Sequence, residues 1–371
     1  MRDIDNVQMT RFNTDKNLQV FFELLKAGLW EKEVRLSEYG DIDYAAVMKM
    51  AEEQSVVGLI TAGLEQIKDV KIPQEWTLQF IGSTLQIEQQ NKAMNEFVAK
   101  LISLLRTRDV YTLLVKGQGI AQFYEKPLWR ASGDVDLFLS DTNYEKAKKE
   151  LMPLATNVEK EYQLIKHLGM TIEGFSVELH GTLRSRLTKQ IDRVIDNLQD
   201  ECFMQGEVRS WQNGKTQIFL PGPNQDVIFM FTHILHHLFI EGIGLRQICD
   251  WCRLLWTYRD SIDHKRLENH LQAMGLMTEW KVFGALAVEW LGMPSDAMPF
   301  YDSSYKGKSS RLLSFVLETG NFGHNREIGG GVIKTFSRRT SDAFKMMRIF
   351  PIDAWKLYFG MIRTGLILRA E

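Results

Sequence analysis

The sequence predicts an α+β fold, on three observations. Apolar residues recur at intervals of three and four through residues 15 to 110, and short alternating runs separated by turn residues fill 111 to 220. Pro221-Gly222-Pro223 then opens a second apolar helical stretch. The expected organisation is an N-terminal helical region over 1–110, a strand-containing core over 111–220 and a C-terminal helical region over 221–371.

Taken in order, Leu18, Phe21, Phe22, Leu25 and Leu29 form one core-facing stripe, and Ile87, Met94, Phe97, Leu101 and Leu105 form another. Lys68 to Pro73 interrupts the pattern and separates the helices on either side. A strand from Tyr111 to Val115 leads into a Lys116-Gly117 turn. After the apolar run DVDLFL, Ser140-Asp141-Thr142 ends the extended stretch, and Thr142 with Glu145 predicts a capping box for a helix over 143 to 152. Glu161 to Leu183 reads as a hairpin with Glu173-Gly174 at the turn. Residues 187 to 203 are expected to be helical, Glu207 to Leu220 a pair of short strands, and Asp226 to Glu241 a buried helix.

Two acids one residue apart carry the chemistry. Side chains alternate along a strand, so Asp134 and Asp136 share a face with Phe138, while Val135, Leu137 and Leu139 take the other. Paired carboxylates suit magnesium, or manganese in its place, and such an ion fills its other positions with water and phosphate oxygens. In the second arm of the hairpin, Ser176, Glu178 and His180 alternate with Phe175, Val177 and Leu179. If that strand lies beside the first, Glu178 completes a triad able to hold the cations that clamp a displacement at phosphorus. A solvated edge strand with two aspartates fits the same short motif.

The Lys116-Gly117 turn, the arginine before DVDLFL, the VELH strand, a later histidine-bearing helix and the segment GLRQICD together resemble the nucleotidyltransferase-like family within the polymerase-beta-like superfamily, over about residues 85 to 330. The resemblance implies a polymerase-beta-like nucleotidyltransferase core over 111–220, a small mixed sheet with flanking helices. It also implies magnesium-dependent attack on the α-phosphate of a nucleoside triphosphate such as ATP. Asp134 and Asp136 match the metal-binding pair, and Glu178 the acid of the third strand. Lys116, Gly117 and Gly119 stand where the superfamily has a glycine-glycine-serine turn. The serine is missing, so its contact with the triphosphate passes to backbone N–H groups after Gly117, to Lys116, or to nothing. Arg130 either grips phosphates or pairs with the two aspartates. His180 touches the acceptor, orients Glu178, moves a proton or is structural; Glu178 itself is a ligand or a base for an acceptor hydroxyl. The histidine helix and the Arg246 to Asp250 segment match an element that closes over the site, which puts Arg246 near the triphosphate or acceptor. An Arg246-Asp250 pair on one helix is the other reading.

A competing zinc site can be drawn from His233, His236 and His237 with Cys249 and Cys252, although both clusters sit in apolar helices where such residues serve packing. From Gly331 to Glu371 there are eight Lys or Arg against three acids, interleaved with Phe336, Phe344, Phe350, Trp355, Tyr358 and Phe359. That tail either packs on the domain or contacts a membrane surface or nucleic acid. The net charge of −2 gives no overall pull toward either polyanion. Three cysteines and the polar start MRDIDNVQ predict a reducing, cytoplasmic setting, and no segment reaches the roughly 20 apolar residues of a membrane span. The expected function is nucleotidyl transfer to an unidentified acceptor, a small molecule before RNA or protein, with an inactive nucleotide-binding or scaffolding protein as the alternative.

Overall fold

Asp15 starts the first helix by accepting a hydrogen bond from the Leu18 N–H at 3.1 Å, which satisfies one of the donors every helix leaves free at its first turn. The fold is a computed structural model that describes residues 15–323, 325 and 331–351. Helices α1 (Lys16–Trp30), α2 (Tyr44–Glu53), α3 (Val57–Leu64) and α4 (Gln74–Arg106) form the N-terminal region, with residues 68 to 73 non-helical as predicted. The expected stripe of Leu18, Phe21, Phe22, Leu25 and Leu29 is buried. Helices α1 and α3 cross at Gly28 and Gly63, where an added Cβ would fall inside the carbonyl oxygens of Leu59 and Leu24. Gly63→Ala is therefore expected to lower stability by about 1–3 kcal/mol through overpacking against backbone. The readout is a lower denaturant midpoint at constant slope; an unchanged midpoint would show that the two helices can part freely.

The sheet follows the predicted parity. Strands β1 (Leu113–Val115), β2 (Asp134–Phe138), β3 (Asn157–Val158), β4 (His167–Ile172) and β5 (Phe175–His180) lie in the order β1-β2-β5-β4-β3. Only β2 and β5 are parallel, in a register that sets Asp134 opposite Ser176 and Asp136 opposite Glu178. The chain crosses between them by way of helix α6 (Asp141–Leu151); the short helix α5 (Gly117–Ala121) follows β1. Val135, Leu137 and Leu139 join Leu168, Met170, Val177 and Leu179 in one buried cluster. That face is covered by Met94, Phe97 and Leu101 of α4 and by Tyr144 and Ala147 of α6. The hairpin turn is where it was expected: Glu173 has φ 51° and Gly174 φ 84°, the paired left-handed residues that match the twist of two antiparallel strands. The start of α6 differs from expectation. The helix begins at Asp141 with Ser140 in the extended N-cap conformation, so Thr142 lies inside the first turn and the predicted 142/145 box does not form. Asp141 at that position is favoured by the helix dipole.

The other face of the sheet carries the acids. Beyond them Phe138 meets Phe203 and Phe229 at centroid distances of 4.7 and 6.1 Å, tying β2 to helices α7 (Lys189–Met204) and α8 (Pro223–Ile240). Between these helices the hairpin β6 (Val208–Asn213) and β7 (Thr216–Pro221) packs against β1. Helices α9 (Leu245–Thr257), α10 (His264–Met274), α11 (Met277–Glu289) and α12 (Lys306–Thr319) follow, then α13 (Gly331–Ile349). One buried cluster contains Phe21 and Leu25 from α1, Leu113 and Phe138 from the sheet, and Trp251 and Trp280 from the C-terminal helices. The N-terminal, central and C-terminal segments thus share apolar surface, the main favourable contribution to their association. Among the described residues no helix is long and apolar enough to cross a membrane.

Of the aromatic tail, Phe350 is fully buried with its ring 6.4 Å from that of Phe239, while Phe344 is exposed. Trp355, Tyr358 and Phe359, the Phe336 side chain and the polar N-terminal start lie outside the described residues.

Candidate metal and nucleotide site

Strand β1 ends in a left-handed step at Lys116 (φ 57°) and Gly117 (φ 37°). A lysine in that region holds strain of roughly 1–3 kcal/mol, which persists where the surroundings over-determine it. Here the surroundings are the acids: Lys116 Nζ donates to Asp136 Oδ1 at 2.8 Å. The lysine therefore points into the site instead of out to water. Gly119 has a separate reason to be glycine, since a Cβ there would collide with the Leu220 side chain on β7.

Because β2 and β5 are parallel and in register, Asp134, Asp136 and Glu178 converge, and one oxygen of each lies within 4.8 Å of the others. Asp136 is 1% exposed and its Oδ2 is buried with no hydrogen-bond partner. A buried carboxylate oxygen left unpaired is costly unless a cation takes it, so these residues fit a divalent ion. The electrostatics agree. Asp134 is raised above the usual carboxylate range by the Asp136 charge first and by burial second. Burial also pushes Asp136 up, but Lys116 and a hydrogen bond from His180 outweigh it and hold the group low. Glu178 is held far below its ordinary value against burial by hydrogen bonds from His167 and His180. A carboxyl held anionic by its neighbours in this way suits a ligand for a cation.

His180 faces this cluster, with Nε2 2.8 Å from Asp136 Oδ1 and 3.4 Å from Glu178 Oε2. His167 was missed by the sequence reading. It sits directly opposite His180 across the hairpin, with Nε2 3.1 Å from Glu178 Oε2. The signal was present: a two-residue turn at 173 and 174 pairs each position with the one that completes the same sum, which places 167 against 180.

Arg130 is not on the aspartates. Its Nε and Nη2 donate to Asp250 Oδ1 and Oδ2 at 2.8 and 2.7 Å, and its Nη1 donates to Ala131 O and Ser132 Oγ. Four of its five N–H donors are thus engaged in fixing the loop before β2, although the side chain borders the site. Asn91 of α4, also missed, holds the same loop from behind by donating to Leu128 O and Arg130 O. The Arg246-Asp250 pair is replaced by this arrangement, since Asp250 is occupied by Arg130. Arg246 instead donates from Nη1 to Ala131 O at 2.6 Å, borders the site beside Asp134, and keeps Nε buried without a partner. Burial first and the Arg130 charge second lower its affinity for its proton, an environment relieved by an anion.

The zinc alternative does not assemble. Among the described residues the groups able to surround an ion lie on one face of the sheet's inner strands, and neither includes His233, His236, His237, Cys249 or Cys252. The His236 Nδ1–H donates to Ser185 O at 2.7 Å, and burial, with His237 nearby, pushes His236 down to about 3. The two cysteines are fully buried free thiols.

Two clefts meet at the acids. One of about 310 Å³ is bordered by Lys116, Gly117, Asp134, Asp136, Glu178 and Arg246. The other, about 560 Å³, is bordered by His167, His180, Arg184, Arg186, His233 and His236 and shares Lys116 and Glu178 with the first. These features define an α+β protein with a three-carboxylate cluster, able to hold a metal ion, between two clefts. Residues 40–292 match the model of the family described as uncharacterised nucleotidyltransferase, and the chain belongs to that family. The match starts well before the 85 expected from the motifs, taking in α2 and α3, and stops before α12. No curated protein and no solved structure matches the chain.

Proposed function

We propose that the protein transfers a nucleoside monophosphate from a nucleoside triphosphate to a hydroxyl of a small molecule, releasing pyrophosphate, with Mg2+ or Mn2+ held by Asp134, Asp136 and Glu178. The observation that carries this reading is the convergence of those three carboxylates beside an unpartnered buried oxygen of Asp136. The ion supplies positive charge to the phosphate oxygens and neutralises the acids. Lys116 and Arg246 border the smaller cleft and bring two further cations to the triphosphate. Gly117 lets the chain turn close to β2, and Arg130 positions the loop that carries Asp134 rather than gripping phosphate itself. The acceptor hydroxyl oxygen attacks the α-phosphorus from the larger cleft, the bond from that phosphorus to the bridging oxygen breaks, pyrophosphate leaves, and the hydroxyl proton passes to water in the cleft. A concave space of about 560 Å³ suits a small-molecule acceptor better than a polymer.

The test is incubation with triphosphates labelled at the α-phosphate, Mg2+ and, separately, small hydroxylated metabolites, RNA and protein. Label is expected on a small acceptor, together with pyrophosphate. One feature favours a second reading: the serine of the resembled superfamily's turn is missing, and Lys116 already occupies Asp136. Mg2+-dependent binding with no pyrophosphate from any acceptor would select a nucleotide-binding protein without turnover. Arg246→Ala is expected to weaken triphosphate binding about tenfold or more, the worth of one charge-assisted contact. A thermal-shift titration measures this, since a ligand of the native state raises its melting temperature. Equal affinity in the variant would remove Arg246 from the site.

A further inference from the structure

We propose that His167, Glu178 and His180 form a second cation site, suited to a borderline transition ion such as Zn2+ and sharing Glu178 with the all-carboxylate cluster. The proposal does not rest on nucleotidyl transfer, because it is read from metal binding to the protein alone.

The hairpin builds the site. Its turn sets His167 opposite His180, and the two-residue strand period sets Glu178 on the same face as His180. The imidazole centroids are 5.0 Å apart. Both Nε2 atoms converge on one oxygen, at 3.1 Å from His167 and 3.4 Å from His180, and the three donor atoms lie within 4.8 Å of one another. An ion bonded tetrahedrally at about 2.0–2.1 Å to nitrogen and oxygen holds its ligands about 3.3–3.4 Å apart. Two of the three donor separations therefore already match that spacing.

Donor chemistry separates this site from its neighbour. Carboxylate oxygens alone suit magnesium, calcium and manganese, whereas two imidazoles with one carboxylate suit zinc and its neighbours in the first transition row. The side chains are 21%, 30% and 12% exposed for His167, Glu178 and His180, which leaves a coordination position open to solvent. All three border the larger cleft, so that position faces the acceptor side. An oxygen bound there becomes more acidic, so this site favours an acceptor that presents a hydroxyl or water. On binding, His180 gives up its hydrogen bond to Asp136 Oδ1, which leaves that oxygen to Lys116 and the first site.

The experiment is equilibrium dialysis of the full chain against ZnCl2 without nucleotide, using the native protein, His167→Ala and Asp134→Asn. One Zn2+ per chain is expected on the native protein, with affinity reduced about tenfold or more in His167→Ala and changed less than about threefold in Asp134→Asn. No binding by the native protein, no loss in His167→Ala, or equal losses in both variants would overturn the site. X-ray absorption of the zinc-loaded native protein decides independently of whether a variant folds. Scattering from two imidazole rings supports the site, and a shell of oxygens alone refutes it. Absence of transferase activity with zinc still bound by two imidazoles would fail the proposed function and leave this site standing.

Discussion

Asp136→Asn is expected to abolish pyrophosphate release, by about a thousandfold or more if residual turnover is measurable, because it removes the central charge that holds the ion against the phosphates. The substitution keeps shape and volume at a position only 1% exposed, so the packing around it need not change. The charge change also works in opposite directions. Lys116 and His180 lose an anionic partner at 2.8 Å, while Asp134, whose carboxyl is raised chiefly by Asp136, and Glu178 lose a like charge. These effects offset, so the net change in stability should stay within about 2 kcal/mol, the range of ordinary substitutions. Circular dichroism and a denaturant midpoint establish the fold, and pyrophosphate release is then read on protein shown to be native. Asp136→Ala is a poorer probe, since it strands the Lys116 ammonium beside an empty volume. Full activity in Asp136→Asn would show that Asp136 is not part of the reacting centre.

The same residue shows what the sequence could reveal. Alternation along DVDLFL is local, so the shared face of Asp134 and Asp136 follows from the run itself. The turn at Glu173-Gly174 is local as well, and it fixes which residues of the first arm lie opposite Glu178 and His180. Pairing of β2 with β5 depends instead on a crossover of more than thirty residues through α6 and β4, and nothing in either strand specifies a parallel register with Asp136 beside Glu178. The pairing of Arg130 was not legible for a related reason. Its partner Asp250 is 120 positions away, on a helix whose own spacing suggested a local pair with Arg246. A local pattern is readable only when no distant group competes for the same charge, and here one did. The histidine and cysteine clusters illustrate the reverse case. The α9 cysteines are buried for packing and the α8 histidines border the larger cleft, and only the three-dimensional arrangement separates their metal-like spacing from a ligand set.

Asp250→Ala is expected to have the largest effect on stability of any single polar substitution considered, about 3–5 kcal/mol, because it leaves a buried guanidinium without its counter-charge. Asp250 is 2% exposed and Arg130 7%, and the carboxylate accepts from Arg130 at both oxygens and from the Tyr124 hydroxyl at 2.7 Å. Its removal therefore unpairs two donors, Tyr124 and Arg130, in the segment between α5 and β2. The loop keeps the Asn91 contacts to Leu128 O and Arg130 O, so the backbone is held from α4 even when the link to α9 is cut. In the proposed enzyme the consequence is displacement of Asp134 and slower turnover at saturating triphosphate, with the metal ligands themselves unchanged. A double variant separates charge from packing. Arg130→Met with Asp250→Leu removes both ions and fills similar volume, and buried pairs replaced in this way recover most of the stability lost by breaking them. Denaturant midpoints of the native chain, the single variant and the double variant give the three values needed. If Asp250→Ala shifts the midpoint no more than a surface change does, the pair does not anchor the loop. If the double variant is as unstable as the single one, the contribution lies in the Tyr124 and Ser132 hydrogen bonds rather than in the ion pair.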